Sequence, residues 1–168
     1  MDASNAVTGS SLFWGLSARQ REPFAALARV QRVPEDEYLF RLGQPAEALL
    51  IVESGVVELT MPLSMNGKER EVVVQEAGAG ETIAWSALIE PNRFTMSARA
   101  GTNVELLAFS AGELQAAIEA HPEAGLRIVT NLARVIARRL QVMHAMWTRE
   151  LQRAVDDTFG EPAHRARG

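Results

Sequence analysis

The chain has 168 residues, of which 47% are hydrophobic and 23% charged, and such a chain can bury a core of its own. It contains no cysteine, which excludes disulfides, thiolate zinc sites, iron–sulfur clusters and a cysteine nucleophile. The three histidines lie far apart in the sequence, so we expect no metal site.

The net charge of −4 is unevenly distributed along the chain. Residues 34–125 contain fifteen acidic and five basic side chains, and such an acidic excess repels a phosphate backbone. Residues 126–168 contain eight basic and four acidic side chains. We interpret this basic segment as a solvated helix face, and residues 156–168 leave no room for a helix-turn-helix domain. We therefore expect no nucleic-acid partner.

The N-terminal residues 1–11 contain no basic residue and no apolar run, unlike a secretory signal peptide. Their small polar residues predict a disordered start. No segment approaches the apolar length of about 18 residues that a membrane-spanning helix needs. The expectation is a cytoplasmic protein without membrane association.

Residues 12–27 combine spaced apolar residues with alanines, a composition that predicts helix. Ser17 followed by Gln20 matches a capping box, which begins a helix. Pro23 is unfavourable in a helix interior, so we expect short helices on either side of it.

From Val30 to Phe109 the pattern changes to short apolar runs typical of β-strands. Turn residues separate these runs, and Asn66-Gly67 is a strong hairpin signal. Many short strands at this spacing predict a mainly β fold, an eight-stranded jelly-roll barrel at residues 30–110 flanked by N-terminal helices and a long C-terminal helix. Six strands are assigned to apolar runs, namely Tyr38–Phe40, Leu49–Val52, Val56–Met61, Val72–Gln75, Phe94–Ala98 and Val104–Phe109.

After Phe109 the pattern predicts two helices over residues 111–156. Ser110 with Glu113 matches a second capping box, and His121-Pro122 ends the first helix. The second helix runs from about Pro122 to about Asp156, and its apolar residues recur every three or four positions. Since it is too long for a small barrel to cover, we predict a homodimer formed by a parallel helix pair. The predicted interface residues are Val129, Leu132, Ile136, Leu140, Met143, Trp147 and Leu151.

Catalysis has no sequence support. The chain has no Gly-x-Ser-x-Gly elbow, no His-Glu-x-x-His pair, no phosphate-binding loop and no dinucleotide fingerprint. We expect a protein that is not an enzyme and has no catalytic residues.

Three stretches of the chain carry a family resemblance: Tyr38–Pro45, a strand followed by a glycine, Leu49–Leu59, two strands around a glycine turn, and Thr102–Phe109, the last strand. They resemble the early strand and its glycine, the paired strands, and the strand before the hinge in the cyclic nucleotide-binding domains of the catabolite activator protein and of the protein kinase A regulatory subunit. The resemblance extends from about Leu12 to about Leu151. It implies a sensor or regulatory domain that takes cyclic AMP or cyclic GMP as a ligand, with no other cofactor.

In that family, a phosphate-binding cassette holds the ligand: a Gly-Glu pair contacts the ribose, and an arginine farther on contacts the cyclic phosphate. Counting back from Ala98-Arg99-Ala100 places Ala84 at the family glycine, Trp85 at the glutamate, Phe94 at the arginine and Thr95 at the small residue after it. Both charged positions are therefore aromatic here. The resemblance implies that the candidate ligand-binding residues are Ala84, Trp85, Ser86, Ala87, Leu88, Arg93, Phe94 and Thr95.

The position of Arg93 leaves several interpretations open. Arg93 comes one residue before the family position, and neighbouring strand residues face opposite sides, although a bulge could turn Arg93 inward. The rings of Trp85 and Phe94 either fill the pocket or form a pocket for an apolar or planar ligand.

Two functions follow from these interpretations. The first is a stand-alone sensor whose ligand, bound in cassette 84–95, reorients the C-terminal helix. The second is a ligand-free interaction or scaffold module that dimerises and docks a protein partner. In both, residues 1–11 are a disordered start, residues 12–156 form one domain and residues 157–168 form a flexible tail.

Overall fold

The structure, a computed structural model, describes residues 7–65 and 67–159, and for residues 65 and 157–159 it describes the backbone alone. The helices are α1 (Ala18–Ala25), α2 (Ala111–Ala120) and α3 (Pro122–Phe159), with short 3-10 helices at Ser11–Phe13 and Trp85–Leu88. The strands are β1 (Arg29–Val33), β2 (Tyr38–Phe40), β3 (Ala48–Ser54), β4 (Val57–Met65), β5 (Lys68–Ala77), β6 (Thr82–Ile83), β7 (Ser97–Ala100) and β8 (Val104–Ser110).

The described strands form two antiparallel sheets of four, in the orders β1-β8-β3-β6 and β2-β7-β4-β5. This arrangement confirms the predicted jelly-roll fold with flanking helices and a long C-terminal helix. The hairpin predicted at Asn66-Gly67 is also present, because Met65 of β4 pairs with Lys68 of β5. At the turn before β4, Gly55 has φ +84, and a Cβ there would lie 2.4 Å from the Asn103 carbonyl oxygen. Only glycine fits this turn.

Strands β3 and β8 are buried on both faces over most of their length, and successive side chains point to opposite sides. Leu50, Val52 and Leu106 belong to the apolar cluster inside the barrel. The alternate residues face the helices, as the ring of Phe109 shows by lying 5.7 Å from the ring of Phe13. One face of this sheet therefore packs into the barrel interior, and its other face packs against the helical layer.

The N-terminal segment is anchored to the first turns of α3. The buried side chain of Asn131 donates hydrogen bonds of 2.9 Å to the carbonyl oxygens of Leu12 and Trp14. Val7 is fully buried and Ser10 caps the first 3-10 helix. The predicted disorder of residues 1–11 is therefore wrong for residues 7–11, and residues 1–6 lie outside the described part of the chain.

Two local predictions for the helices were wrong. Pro23 lies inside α1 rather than between two helices. This eight-residue helix tolerates Pro23 because the missing backbone N–H of proline costs only one hydrogen bond, near the end of the helix. Ser110 makes no side-chain cap, because it is the last residue of β8 and pairs with Ala48 of β3. By contrast, the capping box of Ser17 and Gln20 is confirmed.

Helix α3 spans the predicted residues and belongs to two compact units of the chain, one ending at Leu132 and the other starting at Ala133. Its backbone continues to Phe159, so it includes the start of the predicted tail at 157–168. Residues 160–168 lie outside the described residues. None of the described helices is long and apolar enough to cross a membrane.

A cross-strand ion pair lies on the outer surface of the first sheet. Arg32 Nε of β1 donates to Glu105 Oε2 of β8 over 2.7 Å. This hydrogen bond lowers the pKa of Glu105 from its ordinary value. The pair is exposed on the Arg32 side, so we assign it a small contribution to stability.

Thr82 of β6 tests the energetic cost of a buried hydroxyl group without a hydrogen-bond partner. Its hydroxyl oxygen is buried, and no group among the described residues hydrogen-bonds to it. We expect Thr82→Val to raise the free energy of unfolding by about 1 kcal/mol, because a buried hydroxyl without a partner is destabilising. Denaturant unfolding measures the change.

Thr102→Val is the matched control for this prediction. The Thr102 hydroxyl accepts a hydrogen bond from the Val56 amide and donates one to the Asn103 carbonyl, so its loss should destabilise by about 1 kcal/mol. Equal destabilisation by both variants would contradict the assignment.

Candidate functional site

The candidate cassette begins where β6 ends. Ala84 has φ +56, a left-handed conformation that favours glycine, and it precedes the 3-10 helix Trp85–Leu88. The register counted from the sequence places the family glycine at this residue. The left-handed backbone at Ala84 is the conformation that such a glycine would adopt.

Asn92 stabilises the turn that follows the 3-10 helix through hydrogen bonds. Its side-chain amide donates to the carbonyl oxygens of Ala87 at 3.0 Å and Ser86 at 3.4 Å, and its backbone N–H donates to Ile89. Asn92 has φ +54, which asparagine tolerates better than most residues. The sequence analysis missed Asn92, although an asparagine directly after Pro91 is a turn signal.

Residues 43–46 pair with residues 92–94, and we call this pairing the clasp. The amide of Gly43 donates to the Phe94 carbonyl at 2.8 Å, and the amide of Phe94 donates to the Gln44 carbonyl at 3.0 Å. The amide of Ala46 donates to the Asn92 carbonyl at 2.8 Å. The strand predicted to begin at Phe94 therefore begins later, at Ser97, because these residues bond to a loop.

Arg93 and Phe94 face opposite directions. The exposed side chain of Arg93 donates from Nη1 to the Gly43 carbonyl over 2.8 Å. Phe94 packs against the barrel cluster, where its ring stacks on that of Phe40 at a centroid distance of 3.8 Å and an interplanar angle of 14°. The structure therefore has no bulge that turns Arg93 inward.

The other candidate residues occupy different environments. Ser86 and Ala87 are buried, Trp85 and Leu88 are half-buried, and Thr95 is exposed. Ala84 and Phe94 contact the barrel cluster. The sequence analysis did not identify Phe40 as part of this site, since its partner Phe94 is far away in sequence.

Arg99, on β7, is held outside the barrel. Its Nε and Nη2 donate to Glu58 Oε2 at 3.1 and 2.6 Å, and its Nη1 lies 3.3 Å from Asp36 Oδ1. The hydrogen bond to Glu58 raises the pKa of Arg99 above its ordinary value. This guanidinium is therefore engaged by carboxylates and does not replace the family arginine.

A cleft of about 670 Å³ lies away from the cassette, between α1 and the elbow that joins α2 to α3. Arg19, Glu22, His121 and Glu123 are among its lining residues. Because both signs of charge are present, the cleft indicates no single class of ligand. Among the described residues, no His, Asp and Glu side chains cluster in a way that would hold a metal ion.

Comparison with known families decides what kind of domain contains this cassette. The family description "Cyclic nucleotide-binding domain" matches residues 30–121, more than half of the chain. The chain belongs to the cyclic nucleotide-binding domain family. The resemblance inferred from Tyr38–Pro45, Leu49–Leu59 and Thr102–Phe109 is thus confirmed, and the family is one of regulatory domains.

Curated relatives of this cyclic nucleotide-binding domain include a receptor and an enzyme. It is 33% identical over 137 residues to the cyclic AMP receptor protein of Thermus thermophilus, covering 80% of this chain and 59% of the receptor. It is 30% identical over 136 residues to glutaminase 1 of Bradyrhizobium diazoefficiens, covering 80% of this chain and 21% of the glutaminase. The chain spans less than two thirds of either relative.

A solved structure extends the comparison to another ligand. The c-di-GMP responsive global regulator CLP of Xanthomonas campestris matches with a TM-score of 0.68 and 25% identity, over 89% of this chain and 77% of that one. It links cell–cell signalling to virulence gene expression. The expectation that nucleic acid is excluded as a partner is therefore not supported by the comparisons.

Asn92→Asp tests whether the amide of Asn92 fastens the cassette turn. Aspartate keeps the tolerance for left-handed backbone but places a carboxylate against the carbonyls of Ser86 and Ala87. We expect the free energy of unfolding to fall by about 1–3 kcal/mol at neutral pH, measured by denaturant unfolding.

Asn103→Asp is the control for this change. Asn103 uses its oxygen, which accepts from the Glu35 amide at 3.0 Å, and aspartate retains that acceptor. We expect it to leave stability nearly unchanged. If the two variants lost equal stability, the role assigned to the Asn92 amide would be wrong.

Proposed function

We propose that this cyclic nucleotide-binding domain is a non-catalytic regulatory module that acts by pairing with a second copy through α3, and that its cassette closes without cyclic AMP or cyclic GMP. The observation that supports the closed cassette is the stack of Phe94 on Phe40, at the position where the family pattern has an arginine. Membership of a family of regulatory domains supports the regulatory role.

The exposed apolar residues of α3 support pairing with a second copy. Val129, Leu140, Met143, Trp147 and Leu151 are exposed, and Ile136 is half-buried. These residues are separated by seven positions from Val129 to Ile136 and by three or four thereafter, which places them along one side of the helix. Such a stripe is typical of paired helices.

Leu132 is the exception among the predicted interface residues. Only 5% of it is exposed, and it lies within the first unit of the chain. A partner cannot reach a side chain that its own chain covers. We therefore propose an interface of the other six residues.

Leu140→Glu tests the helix pair. We expect it to weaken dimerisation about a hundredfold or more, because two copies each lose a buried leucine and two carboxylates meet at the interface. The measurement is sedimentation equilibrium over a range of protein concentrations.

Val142→Glu is the matched control on the same helix. Val142 is 45% exposed and Leu140 is 51% exposed, but the two residues lie on opposite sides of the helix at 100° per residue. We expect Val142→Glu to leave the dimer intact. A wild-type monomer, or equal effects of both variants, would refute the pairing.

A cyclic nucleotide sensor is the second candidate function. The left-handed backbone at Ala84 and the short 3-10 helix after it support it, since they retain the backbone shape expected of the cassette. In this candidate, ligand bound at 84–95 changes the arrangement of α3, which requires unequal affinity for two arrangements.

Thermal unfolding with and without millimolar cyclic AMP or cyclic GMP separates the two candidates. A ligand at one hundred times its Kd stabilises a protein by about 2.7 kcal/mol, which is a clear shift in Tm. We expect no shift for this chain. A shift with either nucleotide would favour the sensor.

A further inference from the structure

We infer that the order of two neighbouring residues, Arg93 outside and Phe94 inside, prevents this barrel from binding a cyclic phosphate, because the inner side receives the ring of Phe94, stacked on Phe40, in place of a guanidinium. This inference deepens the proposed function and depends on its claim that the cassette closes without a nucleotide. It names which side chains exclude the ligand and what change would admit it.

The clasp fixes which residue faces inward. It bonds both the amide and the carbonyl of Phe94 to the loop at Gly43 and Gln44, so this part of the backbone cannot rotate without breaking both bonds. A shift by one residue would exchange the two faces. The hydrogen bond from Arg93 Nη1 to the Gly43 carbonyl holds the guanidinium on the outer side.

The Phe40–Phe94 stack then occupies the inner side. Phe40 is buried in the barrel cluster, and Phe94 packs against that cluster. With the ring centroids 3.8 Å apart, the rings are in van der Waals contact and no group fits between them. A phosphate bound there would lose its hydrating water and would contact aromatic carbon in its place.

Nearby arginines do not compensate for this loss. Arg99 is engaged by Glu58 and Asp36, and the guanidinium of Arg41 lies 3.7 Å from the centre of the Tyr38 ring. Arg93 donates to Gly43 on the outer side. A cyclic nucleotide would have to break one of these contacts to gain a cation.

Exchanging the two residues, Arg93→Phe with Phe94→Arg, is the direct test. The exchange keeps composition and net charge and moves the guanidinium to the inner side. We expect the double variant to bind cyclic AMP or cyclic GMP at least tenfold more tightly than the wild type, since a charge-assisted contact is worth about that much or more. Isothermal titration calorimetry measures both nucleotides.

Phe94→Leu is the matched control, because it removes the ring without adding a charge. We expect it to bind neither nucleotide. Tight binding by Phe94→Leu would show that bulk alone excludes the ligand and would overturn the role of residue order. A folded double variant without binding would overturn it too.

A second variant keeps the inference testable if the exchanged protein does not fold. Phe40→Leu removes the stack and keeps an apolar side chain. We expect hydrogen exchange of the Gly43 and Phe94 amides to accelerate at least about tenfold, since the stack supports the clasp, while the amide of Leu107 in β8 stays protected. Unchanged exchange at the clasp would overturn the inference.

The outcomes distinguish this inference from the proposed function. A monomeric wild type refutes pairing through α3 and leaves the exchange experiment informative. Tight nucleotide binding by the wild type overturns both the inference and the closed cassette of the proposed function, whereas a folded double variant that binds neither nucleotide overturns the inference alone.

Discussion

Strands β3 and β8 pair across the middle of the first sheet, and both are covered on both faces over most of their length. One set of alternate side chains fills the barrel, and the other set, with Phe109 among them, meets the ring of Phe13. A one-residue shift in this pairing would exchange the two sets. The barrel, the N-terminal segment and the start of α3 all depend on this register, because Asn131 ties that segment to the helix.

The same alternation of side chains between opposite faces determines which side chain of the cassette faces the barrel. The clasp contributes only a few backbone hydrogen bonds, yet these determine whether a guanidinium or a phenyl ring faces the barrel. A net hydrogen bond is worth about 1 kcal/mol, while burial of an unpaired charge costs far more. If the cassette excludes cyclic nucleotides as we propose, backbone pairing of modest strength controls a large difference in ligand preference.

Sequence reasoning succeeded where the signal is local. Ser17 and Gln20, Asn66-Gly67 and His121-Pro122 each act within a few residues, and the corresponding cap, hairpin and helix break are present. It failed where the partner is distant. The cap predicted at Ser110 is absent, because Ser110 ends β8 and pairs with Ala48 of β3, which lies far back in the chain.

The site shows the same limit. Period-two alternation indicated opposite directions for Arg93 and Phe94 but left open a bulge that would turn Arg93 inward. The loop residues Gly43 and Gln44, which fix those directions, and Phe40, which receives the ring, gave no signal near the cassette. Leu132 on α3 is a second example of this limit. A stripe of apolar residues has the same sequence pattern whether it packs against its own chain or against a second copy.

A closed cassette changes what can regulate such a module. A ligand shifts an equilibrium only by its difference in affinity between two arrangements. The Phe40–Phe94 stack is part of the chain itself, so the effective concentration of these rings at the cassette is constant. What can vary is the concentration of the chain. If α3 pairs with a second copy, mass action links the paired state to the amount of protein present. Regulation then follows from abundance and from any partner that competes for the exposed residues of α3, rather than from a cyclic nucleotide.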